Sequence, residues 1–226
     1  MIPGSRAVNV YKAVDCAAAL AYAQQIHIWP KDAMRTQNDV PDTGQGLLAG
    51  VRVIELGQLI AGPFAGQMIG DLGAEVIKIE LPNSFDPMRQ WGRLTPDGDS
   101  LWWSVIGHNK KLVAIDVLCE AGRSALLELD EISDIIIENF RLATLEKLDL
   151  PYEVLKKINP GIVLVCVSGF GQSGPYADRV GFGAIGDAMG GLRAVVGDSD
   201  RPPSALGLPW VMPCPGHSVP WAPWRL

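Results

Sequence analysis

The sequence predicts an α/β fold: an open, mostly parallel sheet with helices on both faces, from about Gly50 to about Gly207. Three observations carry this. Short β-branched runs alternate with helical spacings from Val51 onward, the order of successive βαβ units. Ile135-Ile136-Ile137 is apolar without alternation, as a central parallel strand covered on both faces is. Glycine or polar residues follow several runs at their C-terminal ends, where ligands gather in open α/β sheets.

The stretch Val51 to Glu80 organises the rest and reads as strand, glycine-rich turn, helix, strand. Val51, Val53, Ile54 and Leu56 suit a buried strand. Gly57 and Gly62-Pro63 break it, and Pro63 sits where a first helical turn tolerates a missing N–H. Phe64, Met68, Ile69 and Leu72 follow at helical spacing, and Gly73 closes the helix as a C′ glycine would. Glu75 to Glu80 alternates, which predicts Val76 and one of its flanks toward a core.

Leu81 to Ser100 is a loop carrying Pro82, Pro87 and Pro96, and Leu101 to Val105 is apolar and aromatic. His108-Asn109-Lys110-Lys111 precedes a strand, Leu112 to Asp116. On residue type alone its lysines suit a solvated hairpin-like loop as well as a ligand loop. Gly122 to Leu129 is an amphipathic helix with Leu126, Leu127 and Leu129 inward. After Ile135 to Ile137, Glu138-Asn139-Phe140 stands where a binding loop belongs. Leu145 to Leu148 and Tyr152 to Ile158 read as short helices, and Ile162 to Val167 as the next buried strand. Ser168-Gly169-Phe170-Gly171 and the residues to Tyr176 follow it. Glycines there let a backbone approach a ligand and offer N–H groups to an anion; a plain Gly/Ser turn is the alternative.

Composition bounds the function. A chain of 226 residues with 48% hydrophobic content and mean hydropathy +0.16 buries a full core. A net charge of −6 and pI of about 5.0 disfavour nucleic acid as partner. Cys16, Cys119, Cys166 and Cys214 form no CxxC pair, so neither a zinc site nor a disulfide framework is predicted; Cys119 and Cys166 read as buried thiols. No apolar run reaches 18 residues, so no membrane span is predicted. Residues 1–47 read as a leader and linker, with a short helix over Ala17 to Ile26 and a turn-rich Thr36 to Leu47. Asp15, Asp32, Asp39 and Asp42 disfavour a transit peptide. Residues 209–226, rich in proline and tryptophan, read as an irregular tail.

Glu55-Leu56, Ala61 to Phe64 and Leu72 to Glu80 resemble the N-terminal signature of the class III CoA-transferases, the family of formyl-CoA:oxalate and crotonobetainyl-CoA:carnitine CoA-transferases. The resemblance continues in order through Asp86 to Arg89 and Trp91-Gly92, which resemble a family loop that lies near the CoA, and through Asn109 to Lys111, Glu138 to Phe140 and Ser168 to Tyr176. It implies a Rossmann-like N-terminal CoA-transferase domain over 48–208, truncated at roughly half the enzyme. It implies an enzyme that transfers CoA between an acyl-CoA and a small carboxylic acid. It also implies a cytoplasmic homodimer of interlinked subunits in the full-length family, with no metal. Coenzyme A would be held by Gln58, Ile60, Ala61, Asn109, Lys110, Lys111, Asp116, Val117, Leu118, Asn139, Phe140, Lys147, Ser168, Gly169, Phe170 and Gly171. One departure is that Arg141-Leu142-Ala143 replaces the family's Pro-Gly after Glu138-Asn139-Phe140.

The family's nucleophile is an aspartate whose position here is Gly183. Asp187 lies four residues on, about one helical turn, and can project from the same face. It is the candidate catalytic carboxylate; the alternatives are a capping role, or a chain without a nucleophile. The chain would then be a truncated, non-catalytic CoA-binding fragment. Gly181 to Gly186 also spells G-x-G-x-x-G, but no strand precedes it, so a dinucleotide site is disfavoured. The related racemases use a His and an Asp. No histidine stands between Asn109 and Gly216, which disfavours that activity.

Overall fold

The computed structural model describes residues 46–82, 84–96, 98, 100–196 and 200–201. The expected leader helix, the tail, Cys16 and Cys214 lie outside the described residues. Five strands form one sheet: β1 (Arg52–Glu55), β2 (Glu75–Glu80), β3 (Lys110–Ala114), β4 (Ile135–Glu138) and β5 (Val163–Cys166). Their order is β3-β2-β1-β4-β5, and every pairing is parallel. The chain leaves β1 toward β2 and β3, then returns to place β4 on the other side of β1. The topological switch therefore falls between β1 and β4, the position at which open α/β sheets form a ligand crevice at the carboxyl ends of their strands.

Helices cover both faces. Helix α1 (Ala61–Asp71) covers one, where Ala65 and Ile69 pack with Val53, Val76, Ile135 and Ile137. Helices α3 (Glu120–Glu131) and α5 (Tyr152–Ile158) cover the other; Leu126, Leu129 and Leu155 pack there with Ile54, Ile77, Ile79 and Ile136. Helix α2 (Leu101–Ile106) starts at Ser100, whose hydroxyl accepts from the N–H groups of Trp102 and Trp103, satisfying two orphan donors. Helices α4 (Thr144–Lys147) and α6 (Gly183–Met189) complete the set. None of the helices among the described residues is long and apolar enough to cross a membrane.

Several local expectations change. Strand β2 is not one-sided: Val76 through Glu80 are all buried, because a parallel sheet between two helical layers has no solvent face. Helix α1 buries Gly62, Pro63, Ala65, Gly66 and Ile69, not the broader face of Phe64, Met68 and Leu72. The cause is close approach: a Cβ on Gly66 would lie 2.0 Å from Glu55 Oε2. The Lys110 side chain is fully buried in β3, so it is no solvated loop lysine. Strand β5 is half-buried, being an edge strand. Leu127 is only partly buried beside Leu126 and Leu129. Cys119 and Cys166 are half-buried rather than buried; Cys119 Sγ accepts from the Gly122 N–H at the start of α3.

Candidate functional site

The turn after β1 lies at the switch point and is held from both sides. The Gln58 N–H donates to Asn139 Oδ1 at 2.8 Å, and Asn139 Nδ2 donates back to the Gln58 carbonyl at 2.8 Å. Asn139 follows β4 directly, so this amide ties the two strands together at the crevice. Leu59 stands at φ 64°, a left-handed conformation that side-chain-bearing residues rarely adopt. Its N–H donates to Asp86 Oδ1 at 3.0 Å and Oδ2 at 3.2 Å. Ile60 is buried against Met88 and Trp103.

Beneath the turn lies a buried charge network. Lys78 Nζ is 3.0 Å from Glu55 Oε1 and 3.0 Å from Asp86 Oδ2, with all three side chains fully buried. It also donates to the Gly57 carbonyl at 2.6 Å. Lys110 Nζ lies 2.8 Å from Glu55 Oε2 and donates to the Pro63 carbonyl at 2.6 Å. Arg89 pairs with Glu80 at 2.7 Å and stacks 3.8 Å from the centre of the Trp103 ring. Two carboxylates therefore face two ammonium groups around Glu55. Burial opposes ionisation of Glu55, but Lys110 and Lys78 overcome it and hold the carboxyl below its ordinary value. Burial likewise opposes the Lys78 charge, and Glu55 with Asp86 raises it. For Lys110 burial wins against Glu55, and the ammonium is pushed down to about 8.

A second buried group stands at the ends of β4 and β5, where Glu138 and Cys166 are register partners. Glu138 accepts the Phe140 N–H at 2.5 Å and a hydrogen bond from the Cys166 thiol. Burial raises the Glu138 carboxyl against those two bonds. Burial and the Glu138 carboxyl push the Cys166 thiol up to about 12. That thiol stays protonated at neutral pH, a donor rather than a nucleophile.

A pH series tests this. The Glu138 carboxyl titrates above its ordinary 4.5 in the fold, so its contribution is full below that value and lost as pH rises through the folded one. Glu55 and Glu75 act oppositely, contributing above 4.5 and losing that as pH falls. Glu138→Gln is expected to gain stability over wild type as pH rises, with the two converging in acid. Melting temperatures from about pH 4 to 8 read this; a constant offset would show that the carboxyl is not the titrating cause.

Most of the sequence-predicted ligand residues meet at the carboxyl edge. Gln58, Ile60 and Ala61 follow β1, Asp116, Val117 and Leu118 follow β3, Asn139 and Phe140 follow β4, and Ser168 to Gly171 follow β5. Asp116 Oδ1 accepts the Leu118 N–H at 3.0 Å, and Leu118 is exposed. Ser168 Oγ is buried with no hydrogen-bond partner among the described residues. Asn109, Lys110 and Lys111 enter β3 at the opposite edge. Asn109 Nδ2 donates to Asp71 Oδ1 at 2.9 Å, beside His108 on the same carboxylate. Lys111 pairs with Glu75. Lys147 is exposed at the end of α4.

Asp187 is half-buried on α6, one turn beyond Gly183. It has neither a hydrogen bond nor an ion pair among the described residues. The segment leading into α6 is seated on the loop after β5: a Cβ on Gly169 would lie 2.4 Å from Gly181 Cα. Two facing glycines permit that backbone contact, and it ties the start of α6 to the carboxyl edge. Sequence reading missed Lys78 as a site residue, although a charge inside a β-branched run was its signal; it placed Asp86 and Glu138 in ligand loops without giving either side chain a role.

The model of CoA-transferase family III matches residues 48–222 of the chain. Succinyl-CoA–D-citramalate CoA-transferase of Chloroflexus aurantiacus is 51% identical over 158 residues, covering 70% of this chain and 39% of that protein. Succinyl-CoA:glutarate CoA-transferase of Homo sapiens is 35% identical over 161 residues, covering 71% of this chain and 37% of that protein. Among solved structures, a CAIB/BAIF family protein from Brucella suis superposes with a TM-score of 0.75 at 35% identity, over 80% of this chain and 49% of that one. The chain thus spans less than half the length of these relatives.

Proposed function

Because the chain belongs to CoA-transferase family III, we propose that it serves the transfer of coenzyme A between an acyl-CoA and a small carboxylic acid, with Asp187 as the covalent carboxylate. The observation that carries this is Asp187 itself: a half-buried carboxylate without a partner among the described residues, on a helix seated at the carboxyl edge. The names of the relatives point to dicarboxylic partners, with succinyl-CoA as donor and citramalate or glutarate as acid. A homodimer and a cytoplasmic location belong to the same proposal and rest on the family resemblance alone.

The steps balance as follows. An Asp187 carboxylate oxygen attacks the thioester carbonyl; the C–S bond breaks and CoA leaves as thiolate, giving a mixed anhydride. The thiolate attacks the Asp187 carbonyl, releases the first acid and leaves an aspartyl–CoA thioester. The incoming carboxylate displaces CoA to form a second anhydride. The thiolate then takes the new acyl group and frees Asp187. Backbone N–H groups of the glycine-rich loop after β5 are the oxyanion donors in this scheme. Cys166, held protonated, does not compete as nucleophile.

The test is intact-mass spectrometry after incubation with succinyl-CoA, followed by hydroxylamine trapping and peptide mapping. A CoA-sized adduct on the intact chain, converted by hydroxylamine to a hydroxamate mapped to Asp187 with release of CoA, is the expected result. CoA binding without an adduct would instead support the non-catalytic CoA-binding reading. Neither binding nor adduct would sink both.

A further inference from the structure

The turn after β1 is held more tightly than a connecting loop requires. Each of its three residues is anchored by a different side chain: Lys78 on β2, Asn139 just after β4 and Asp86 in the loop after β2. The Gly57 carbonyl accepts from Lys78 at 2.6 Å. The Gln58 N–H and carbonyl are both taken by Asn139. The Leu59 N–H is shared between the two oxygens of Asp86. Leu59 nevertheless sits at φ 64°, where a branched apolar residue has no preference of its own. Strain of this kind persists only where surroundings over-determine it, and it concentrates at ligand-binding positions.

Asp86 is well placed to hold the turn, and it also caps the Pro87–Gln90 turn and pairs with Lys78. It is 2% exposed, and its own conformation is set twice over. Its N–H donates to Glu80 Oε1 at 3.1 Å, and its Oδ1 accepts the Met88 N–H at 2.9 Å. Lys78 neutralises it at 3.0 Å. A charged acceptor on an amide makes a stronger, better-directed bond than a neutral one.

We propose that Asp86 is a positioning residue for the ligand-binding turn: it holds Leu59 left-handed through that residue's N–H and so presents Gln58 to the crevice at the switch point. The proposal rests on the transferase reading only for the ligand, coenzyme A. Asp86 itself is buried beneath the turn, bonding Leu59 directly and reaching Gly57 only through Lys78.

The experiment has two arms on the full chain. In the first, hydrogen exchange is followed at the amides of residues 57–60 and of β4. Asp86→Ala is expected to speed exchange at Leu59 and Ile60 by about tenfold or more, with β4 unchanged, since local opening is separable from global unfolding. In the second, CoA affinity is measured by calorimetry on the same folded variant. A weakening on the order of tenfold to a hundredfold is expected, as for other small misplacements of a binding group. Asp86→Asn keeps an oxygen acceptor for Leu59 while removing the charge. It is expected to fall between wild type and the alanine variant, and it replaces that variant should the latter not fold. Unchanged exchange at Leu59, or an equal rise across the whole sheet, overturns the proposal. So does CoA affinity that stays at the wild-type value while the turn opens. A wild-type chain that does not bind CoA sinks the transferase reading, and the exchange arm alone then decides whether Asp86 holds the turn.

Discussion

Lys78→Met is expected to lower the unfolding free energy by about 3–5 kcal/mol, the usual range for removing one partner of a buried ion pair. For a domain of this size that is a fall in melting temperature of roughly 10 °C. The side chain is fully buried and touches Glu55, Asp86 and the Gly57 carbonyl at once. Methionine matches its volume and fills the space, so packing is nearly preserved. What changes is charge. Glu55 keeps Lys110 at 2.8 Å, whereas Asp86 loses its cation in a site with 2% exposure. Desolvation then acts on a carboxylate with only backbone N–H groups left to support it. Thermal melts at neutral pH measure the effect. A fall of less than about 2 °C would show that the network is weakly coupled. Adding Asp86→Asn to Lys78→Met should recover part of the loss, because it removes the orphaned charge.

Asp187→Asn carries the largest expected effect on activity. It should abolish the covalent CoA adduct and lower turnover with succinyl-CoA by on the order of 10³-fold or more, the range for removal of a nucleophile. Asparagine has nearly the same shape and cannot form a reversible anhydride. Asp187 is half-buried and makes no hydrogen bond or ion pair among the described residues, so stability should move by no more than about 0.5 kcal/mol. An adduct that persists in the variant would place the nucleophile elsewhere and end the case for Asp187. A large loss of melting temperature would show a structural role for the carboxylate. The Glu138→Gln and Asp86 variants serve as contrasts, since each touches the carboxyl edge without supplying a nucleophile.

Much of the architecture was legible in residue order. The β-branched runs, the C′ glycine at Gly73 and the unbroken Ile135 to Ile137 run each depend on local chemistry, and each appears where expected. Helical spacing likewise puts Gly183 and Asp187 on one face of α6. These features come from backbone preference and periodicity, which neighbours in sequence decide. The position of the switch point did not follow from residue order, since it depends on β4 pairing with β1 on the side away from β2.

The charge network was decided by the tertiary structure alone. In sequence, Glu75 to Glu80 alternates like a half-solvated strand, and Lys110 looks like a solvated loop residue. In the fold, β2 lies between β1 and β3 with helices on both faces, so Lys78 has no solvent to face. Glu55 and Asp86 reach it from 23 and 8 residues away in sequence, and Lys110 reaches Glu55 from 55 residues away. The absent side chain of Gly66 leaves room for the Glu55 carboxylate under α1. Sequence by itself determined the order of strands and helices along the chain, because that follows from local periodicity. Only the tertiary structure decided which charges are buried and that Leu59 is held left-handed, because both depend on residues that meet only when the parallel strands pair.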